Sequence, residues 1–176
     1  PAQDTATPRG ADQDLFLKVD MDKKTVYPHE QIMLTYSIYT YLNTRYEGFE
    51  QEPETQGFWV EDFPDEAMLA REEVSIGGRR YARAEIRKLA LFPTKEGTHS
   101  IMPGTVQCSV EIRQQSSDIF NSFFNDSFFS GSLFTRREPR RLTTEPIEIT
   151  VMPFPEASKP SDFSGLSGDY TMNASL

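Results

Sequence analysis

The sequence has few of the residues from which catalytic and metal-binding sites are built. It contains one cysteine, Cys108, and two histidines, His29 and His99, which lie far apart in the chain. No cysteine pair has zinc-ligand spacing, and neither a phosphate-binding glycine loop nor a Gly-x-Ser-x-Gly motif is present. One cysteine forms no internal disulfide, so cysteine usage leaves the redox compartment open. We therefore expect no enzyme activity, no catalytic residue, no metal site and no bound cofactor.

Basic residues are in the minority. The chain has 18 lysines and arginines against 27 aspartates and glutamates, and its formal charge is -9. Because nucleic-acid binding needs an excess of positive charge, we expect no nucleic-acid partner. The hydrophobic content of 37% is typical of a folded domain rather than a disordered chain.

Long apolar segments are also lacking. No run approaches the roughly 20 apolar residues of a membrane-spanning helix. Residues 1–14 have no apolar signal-peptide core, and the first residue is proline rather than methionine. We expect the chain to be a piece of a longer protein, with a secretory signal and a membrane anchor outside it.

Apolar side chains at every second position are the main structural signal in the sequence. Leu15–Met21 and Thr105–Arg113 alternate in this way, as half-buried strands do. Gln31–Leu42 has β-branched or aromatic residues on both faces, which is typical of a central strand. Gly77-Gly78 predicts a hairpin turn, and a parity change near Arg87-Lys88 predicts a β-bulge. The sequence thus predicts an all-β sandwich or barrel, with further strands at Phe58–Phe63, Leu69–Ile76, Arg79–Phe92, His99–Met102 and Arg141–Val151.

The domain organisation is predicted from the segments between these strands. Residues 1–13 are predicted to be a linker and residues 14–152 the sandwich domain. Residues 153–168 contain three prolines and two glycines and are predicted to be a second linker. Residues 169–176 alternate again and would be the first strand of a following, truncated domain.

Residues 114–139 do not alternate and are predicted to be a long insertion loop. Six of the 13 phenylalanines lie here and four arginines follow, while part of the spacing also fits one short helix. In one interpretation the phenylalanines extend the core. In the other they form an exposed patch that binds a protein partner or an anionic membrane surface. The candidate partner-binding residues are Phe120, Phe123, Phe124, Phe128, Phe129, Phe134, Arg136, Arg137, Arg140 and Arg141.

Five phrases of the sequence are similar to one protein family. Two of them are Gly-Phe-Trp-Val-Glu-Asp (57–62) and Phe-Phe-Asn-Asp-Ser-Phe-Phe (123–129). The other three phrases are Val-Tyr-Pro-His-Glu-Gln-Ile-Met-Leu-Thr-Tyr-Ser-Ile-Tyr-Thr (26–40), Arg-Lys-Leu-Ala-Leu-Phe-Pro-Thr-Lys-Glu-Gly-Thr (87–98) and Asp-Phe-Ser-Gly-Leu-Ser-Gly-Asp-Tyr (162–170). From residue 14 to its end, the chain resembles the BatD, or oxygen-tolerance, family.

The resemblance implies an immunoglobulin-like β-sandwich from a bacterial envelope protein with several such domains, a signal peptide and a membrane helix. Family members are usually encoded beside MoxR-type AAA ATPases and von Willebrand A-domain proteins, and they are linked to stress or oxygen tolerance. The family offers no catalytic residues. We therefore expect a periplasmic, membrane-anchored scaffold domain that binds envelope proteins through the insertion or an exposed sheet edge.

Two other functions remain open from the residues alone. Trp59, Tyr39 and Tyr41 could stack on sugar rings in a carbohydrate-binding or adhesive module. Paired acids among the many carboxylates could support a hydrolase, or could bind calcium, although no Asp-x-Asp-x-Asp loop is present.

Overall fold

The computed structural model describes residues 14–63, 71–113, 135–156, 159–165, 167–168 and 171. These residues form eleven β-strands and no α-helix, so the all-β prediction is confirmed. No helix among them is long and apolar enough to cross a membrane. The strands are β1 (Leu15–Met21), β2 (Thr25–Val26), β3 (Ile32–Thr40), β4 (Thr44–Gln51), β5 (Phe58–Asp62), β6 (Arg71–Ile76), β7 (Arg79–Pro93), β8 (Gly97–Ile101), β9 (Thr105–Arg113), β10 (Thr135–Thr143) and β11 (Ile147–Val151).

The first layer is a five-stranded antiparallel sheet with the order β1-β3-β7-β5. Strand β6 also pairs with β7, beyond the segment of β7 that pairs with β5. The inner residues of β3, such as Ile32 and Leu34, are fully buried, which explains why this strand is apolar and central. The predicted turn at Gly77-Gly78 joins β6 to β7, and both glycines have positive φ angles.

The second layer consists of two three-stranded sheets, β10-β9-β4 and β2-β11-β8. Hydrogen bonds connect the two sheets where the β8–β9 turn lies beside the β10–β11 turn. There the Gly104 amide donates to Thr144 Oγ1 at 2.9 Å, and the Thr144 amide donates to the Gly104 carbonyl at 2.9 Å. The short β2 runs parallel to β11, while the other strand pairs are antiparallel.

One hydrophobic core contains side chains from both layers. Tyr36 of the first layer and Phe49 of the second make an edge-to-face contact with centroids 5.6 Å apart. Cys108 is fully buried in this core, as the alternation of β9 predicts. Buried core residues include Leu15, Val26, Ile32, Leu34, Tyr36, Ile38, Ile86, Leu89, Leu91, Ile101, Val106, Val110, Ile149 and Val151.

The β-bulge predicted near Arg87-Lys88 lies at Ile86. Tyr36 pairs with Arg87, whereas the next residue of β3 pairs with Glu85, so Ile86 is the extra residue. The bulge restores the inner-face position of Leu89 and its neighbours after the parity change.

The second layer differs from the sequence prediction in three ways. The sequence did not predict β4, because Glu47 and Glu50 sit at register shifts that interrupt its alternation. Residues 135–139, which were assigned to the insertion 114–139, belong to β10 and pair with β9. The predicted strand Arg141–Val151 is the end of β10 followed by the separate β11. The remainder of the insertion, residues 114–134, lies outside the described residues.

The predicted linker 153–168 contacts the domain at several positions. Phe154 stacks on Tyr27 with centroids 5.7 Å apart, and Phe163 packs on Phe154 at 4.9 Å. Ser167 Oγ donates a 2.6 Å hydrogen bond to the Pro28 carbonyl. These described residues therefore lie against the β2–β3 turn, while the division into linker and following domain stays a prediction.

Gly57 precedes β5 at a position where a side chain does not fit. Its φ is +87°, and an added Cβ would lie 2.6 Å from Nδ1 of His99, whose ring is held by the Lys95 carbonyl. We expect Gly57→Ala to lower the free energy of unfolding by about 1–3 kcal/mol through backbone strain and the clash. Thermal denaturation measures the loss. Gly77→Ala is the matched control, because Gly77 also has positive φ but faces open space. Equal losses would show that the His99 contact contributes nothing.

Candidate interaction surface on strand β5

Strand β5 presents alternate side chains to the core and to solvent. Phe58 and Val60 pack against the core. Trp59 and Glu61 are exposed on the opposite face, as is Phe63 directly after the strand. Because of this alternation, Phe58 packs against the core while the rings of Trp59 and Phe63 face solvent.

An arginine holds the end of β5 to both layers. Arg87 Nη2 donates to Asp62 at 2.7 Å, and its Nη1 bonds to Glu52 in the segment that follows β4. The guanidinium also lies over the Phe49 ring, 5.3 Å from the centroid. Burial lowers the pKa of Arg87, but the bonds to the two carboxylates outweigh that effect and raise it, so the group stays charged. The position of β5 is therefore fixed by these ion pairs as well as by its main-chain hydrogen bonds to β7.

Trp59 is the most exposed large apolar side chain among the described residues, with 64% of its surface accessible. Its indole Nε1 donates a 2.7 Å hydrogen bond to Glu61 Oε1, two residues along the same face. It pairs across the ladder with Phe92 of β7, which is half-buried. The indole is thus oriented by a polar partner while its ring is open to solvent.

Phe63 is the second exposed ring of this face, at 42% accessible. Its amide donates to the Lys88 carbonyl at 3.1 Å, which continues the ladder beyond β5. Lys88 Nζ lies 6.0 Å from the ring centroid. Trp59 and Phe63 are four residues apart, which is about 13 Å along a strand. We call Trp59, Glu61, Phe63, Lys88 and Phe92 the aromatic strip.

The aromatic strip combines apolar rings with one carboxylate and one ammonium group. In the part of the chain that the structure describes, β5 pairs only with β7, so its other edge has no strand partner. Exposed aromatic rings beside a free edge are suited to binding a macromolecule, because rings provide large contact area with little entropy loss.

The phenylalanines proposed from the sequence, Phe120 to Phe134, lie outside the described residues, and their role stays a prediction. The four arginines lie on β10, at the edge of its sheet. Arg141 pairs with Glu50 at 2.7 Å and Arg140 with Glu138 at 3.5 Å. Arg137 is opposite Glu111 across the ladder, and Arg136 is exposed. Positive charge on β10 is therefore partly neutralised by neighbouring carboxylates.

The three aromatic residues considered for sugar stacking do not form one platform. Tyr39 is buried and stacks on Phe16 with centroids 4.9 Å apart. Tyr41 is 45% accessible but bonds to Asp14 beyond the end of β3 that is remote from Trp59. Only Trp59 of this set is available in the aromatic strip.

The residues that could have supported chemistry are dispersed. His29 is exposed in a turn, whereas His99 packs against Phe58. Burial raises the pKa of the Cys108 thiol to about 11, with a smaller contribution from the charge of Glu47, so the thiol is a poor nucleophile. No group of three or more histidine, cysteine, aspartate or glutamate side chains within the described residues could hold a metal ion.

Sequence reasoning named Trp59 but missed Phe63 and Lys88 as parts of the same surface. The alternation of Phe58–Phe63 contained the signal for Phe63, since residues four apart share a strand face. Lys88 joins through the pairing of β5 with β7, a contact between residues 25 positions apart in sequence.

Comparisons with known proteins add no relative to this description. No family model matches the chain, and no curated protein sequence matches it.

Proposed function

We propose that this chain is a non-catalytic, immunoglobulin-like domain that binds another protein through the aromatic strip. The strand order supports this kind of sandwich. The orders β1-β3-β7-β5 and β10-β9-β4 correspond to the ABED and GFC sheets of immunoglobulin domains. Residues 114–134 would then connect strands F and G, the position of a binding loop in variable domains.

The observation that carries the proposal is the exposure of Trp59 and Phe63 on one face of an edge strand. Aromatic side chains dominate the energetics of protein interfaces, and tryptophan is especially frequent among the residues that contribute most. A free edge adds main-chain groups that an extended partner can pair with. Glu61 and Lys88 would provide the polar contacts that set orientation.

We further propose that the domain belongs to a BatD-like envelope protein and acts in the periplasm, anchored by a helix outside this chain. The phrase Gly-Phe-Trp-Val-Glu-Asp, which contributes to the resemblance, includes all five residues of β5. Its partners would be von Willebrand A-domain and similar envelope proteins, acting with a MoxR-type ATPase in stress or oxygen tolerance.

Trp59→Ala is expected to weaken binding to the von Willebrand A-domain partner by about 30-fold or more, because an interface tryptophan typically contributes about 2 kcal/mol or more. Calorimetric titration of the two purified proteins measures the change. The melting temperature should be unchanged, since Trp59 is exposed.

Tyr41→Ala is the control for this experiment, because Tyr41 is also an exposed ring but lies away from the aromatic strip. It should bind the partner like the unaltered protein. Equal binding by the Trp59 and Tyr41 variants would refute the assignment of the aromatic strip as the protein-binding surface.

A carbohydrate-binding function is the second candidate. The observation that favours it is the pair of exposed rings, Trp59 and Phe63, with Glu61 between them on one face. Sugar chains stack on such rings and bond to carboxylates. Saturable binding on a glycan array that is lost in Trp59→Ala, together with no binding to the A-domain partner, would select this function.

A further inference from the structure

A cleft of about 400 Å³ opens between the two layers, away from the aromatic strip. Its floor is the inner face of β3 and β7, at Ile38, Ala82, Ala84 and Ile86. Tyr46 on the inner face of β4 forms the opposite wall. The volume is within the range of roughly 300–1,000 Å³ that is typical of ligand pockets.

Two alanines account for the space in this part of the sandwich. Ala82 and Ala84 occupy positions of β7 that face the second layer, where Leu89 and Leu91 fill the core farther along the strand. Close packing is the rule between sheets, and a gap lined by small apolar side chains leaves dispersion contacts unmade. A bulky apolar group entering from solvent would make those contacts.

An arginine lies at the mouth of the cleft. Arg71 pairs across the ladder with Ala84 and is exposed. Its guanidinium has no ion-pair partner among residues 14–63, 71–113 and 135–156. The nearby carboxylates are engaged elsewhere, since Glu72 pairs with Arg83 and Glu73 pairs with Arg80 at 3.1 Å. The mouth thus offers positive charge in a domain whose formal charge is -9.

The wall of the cleft is an edge strand. Over the described part of the chain, β4 pairs only with β9, and the start of β4, Thr44–Tyr46, is in regular register. Its other edge therefore presents main-chain groups to an incoming strand beside the cleft.

We propose that the cleft between β4 and β6 receives a bulky apolar side chain from an extended segment of a partner protein, with a carboxylate two residues along that segment, on the same face, pairing with Arg71. The free edge of β4 would pair with the segment's main chain. The cavity selects the apolar side chain and the guanidinium selects the acid. This second surface is independent of the aromatic strip.

The test uses the unaltered chain and a synthetic peptide, acetyl-Thr-Val-Thr-Phe-Thr-Glu-Thr-amide, in calorimetric and NMR titrations. We expect saturable binding with amide shifts at Thr44–Tyr46 and at Ala82 and Ala84. Replacing the peptide's phenylalanine by alanine should weaken binding at least tenfold, and replacing its glutamate by glutamine at least threefold. Absence of saturable binding at these residues up to 5 mM peptide would overturn the proposal.

Three protein variants separate the parts of the proposal. Ala84→Leu fills the cleft and should weaken peptide binding at least tenfold, while its melting temperature shows that it folds. Arg71→Glu should weaken binding at least fivefold. Lys24→Glu is the charge-matched control, because Lys24 is exposed between β1 and β2, near the end of β3 that is opposite to the cleft, and it should bind normally. Equal affinity in all three would overturn the assignment of the cleft.

Two further arms distinguish other occupants. If 3-phenylpropionate binds as tightly as the peptide, the cleft is a site for a small carboxylate and the partner segment is wrong. If peptide binding appears only after residues 115–133 are replaced by a glycine-serine linker, the chain's own segment is the occupant, which also overturns the proposal. Because Trp59→Ala leaves the cleft intact, failure of one surface is distinguishable from failure of the other.

Discussion

Replacing Leu34 by alanine is expected to lower the free energy of unfolding by about 2–5 kcal/mol. Leu34 is fully buried on the inner face of β3, the strand that pairs with both β1 and β7. The substitution removes buried methyl groups and leaves a cavity that the packed layers close only partly. Chemical denaturation should show a lower midpoint with an unchanged slope, which is the sign of a change in stability alone.

Met33→Ala is the matched control, because Met33 is the neighbouring residue of the same strand and lies on the outer face. It is half-buried there, so we expect a loss below about 1.5 kcal/mol. A larger loss for Met33 than for Leu34 would mean that β3 has the opposite register, with every side chain on the other face.

Raising the pH above about 9 is expected to destabilise the protein in two overlapping steps. Burial raises the pKa of Cys108 from 9.0 to about 11 and that of Tyr36 from 10.0 to about 12. In each window the unfolded chain loses its proton first and binds fewer protons than the folded chain, so stability falls as the pH rises. Each stabilising contribution is fully present below the unfolded pKa and is lost by the folded pKa. Two pH units correspond to roughly 2–3 kcal/mol for each group.

Stability measured from pH 8 to pH 12 in Cys108→Ala and Tyr36→Phe assigns the steps. The alanine variant should lack the loss between about pH 9 and 11, and the phenylalanine variant the loss between about pH 10 and 12. Variants whose stability falls with the same slopes as the unaltered protein would show that other groups control the alkaline transition. Cys108 should also resist thiol reagents at neutral pH while the protein is folded, since it is fully buried.

The strands that were predicted well are those whose alternation is uninterrupted. Leu15–Met21 and Thr105–Arg113 were predicted with the bounds that the structure has, because one face of each is apolar. Strand β4 was not predicted, because each of its two register shifts adds an extra residue and so interrupts the alternation of apolar and polar side chains. Strand β10 was not predicted over its first part, because it is an exposed edge strand with arginine on both faces. Apolar and polar residues therefore do not alternate along it.

The candidate surfaces were less predictable than the strands. Trp59 was named from composition, but its pairing with Glu61 and its separation from Tyr39 and Tyr41 follow from strand faces and sheet ends. The cleft depends on Ala84 facing β4 across the sandwich, and Arg71 reaches its mouth through pairing with β7. Such contacts join residues distant in sequence, and periodicity alone carries no information about them.

The two edges of the β10-β9-β4 sheet differ in how they can receive a visiting chain. Pro139 lies in the middle of β10 and has no N–H to donate, so a strand of another copy would lose a ladder hydrogen bond there. Strand β4 lacks proline and has room beside it. The sheet can therefore be extended at one edge only. An extended segment of another chain can pair with β4, but copies of the domain cannot pair edge to edge through β10 into a filament.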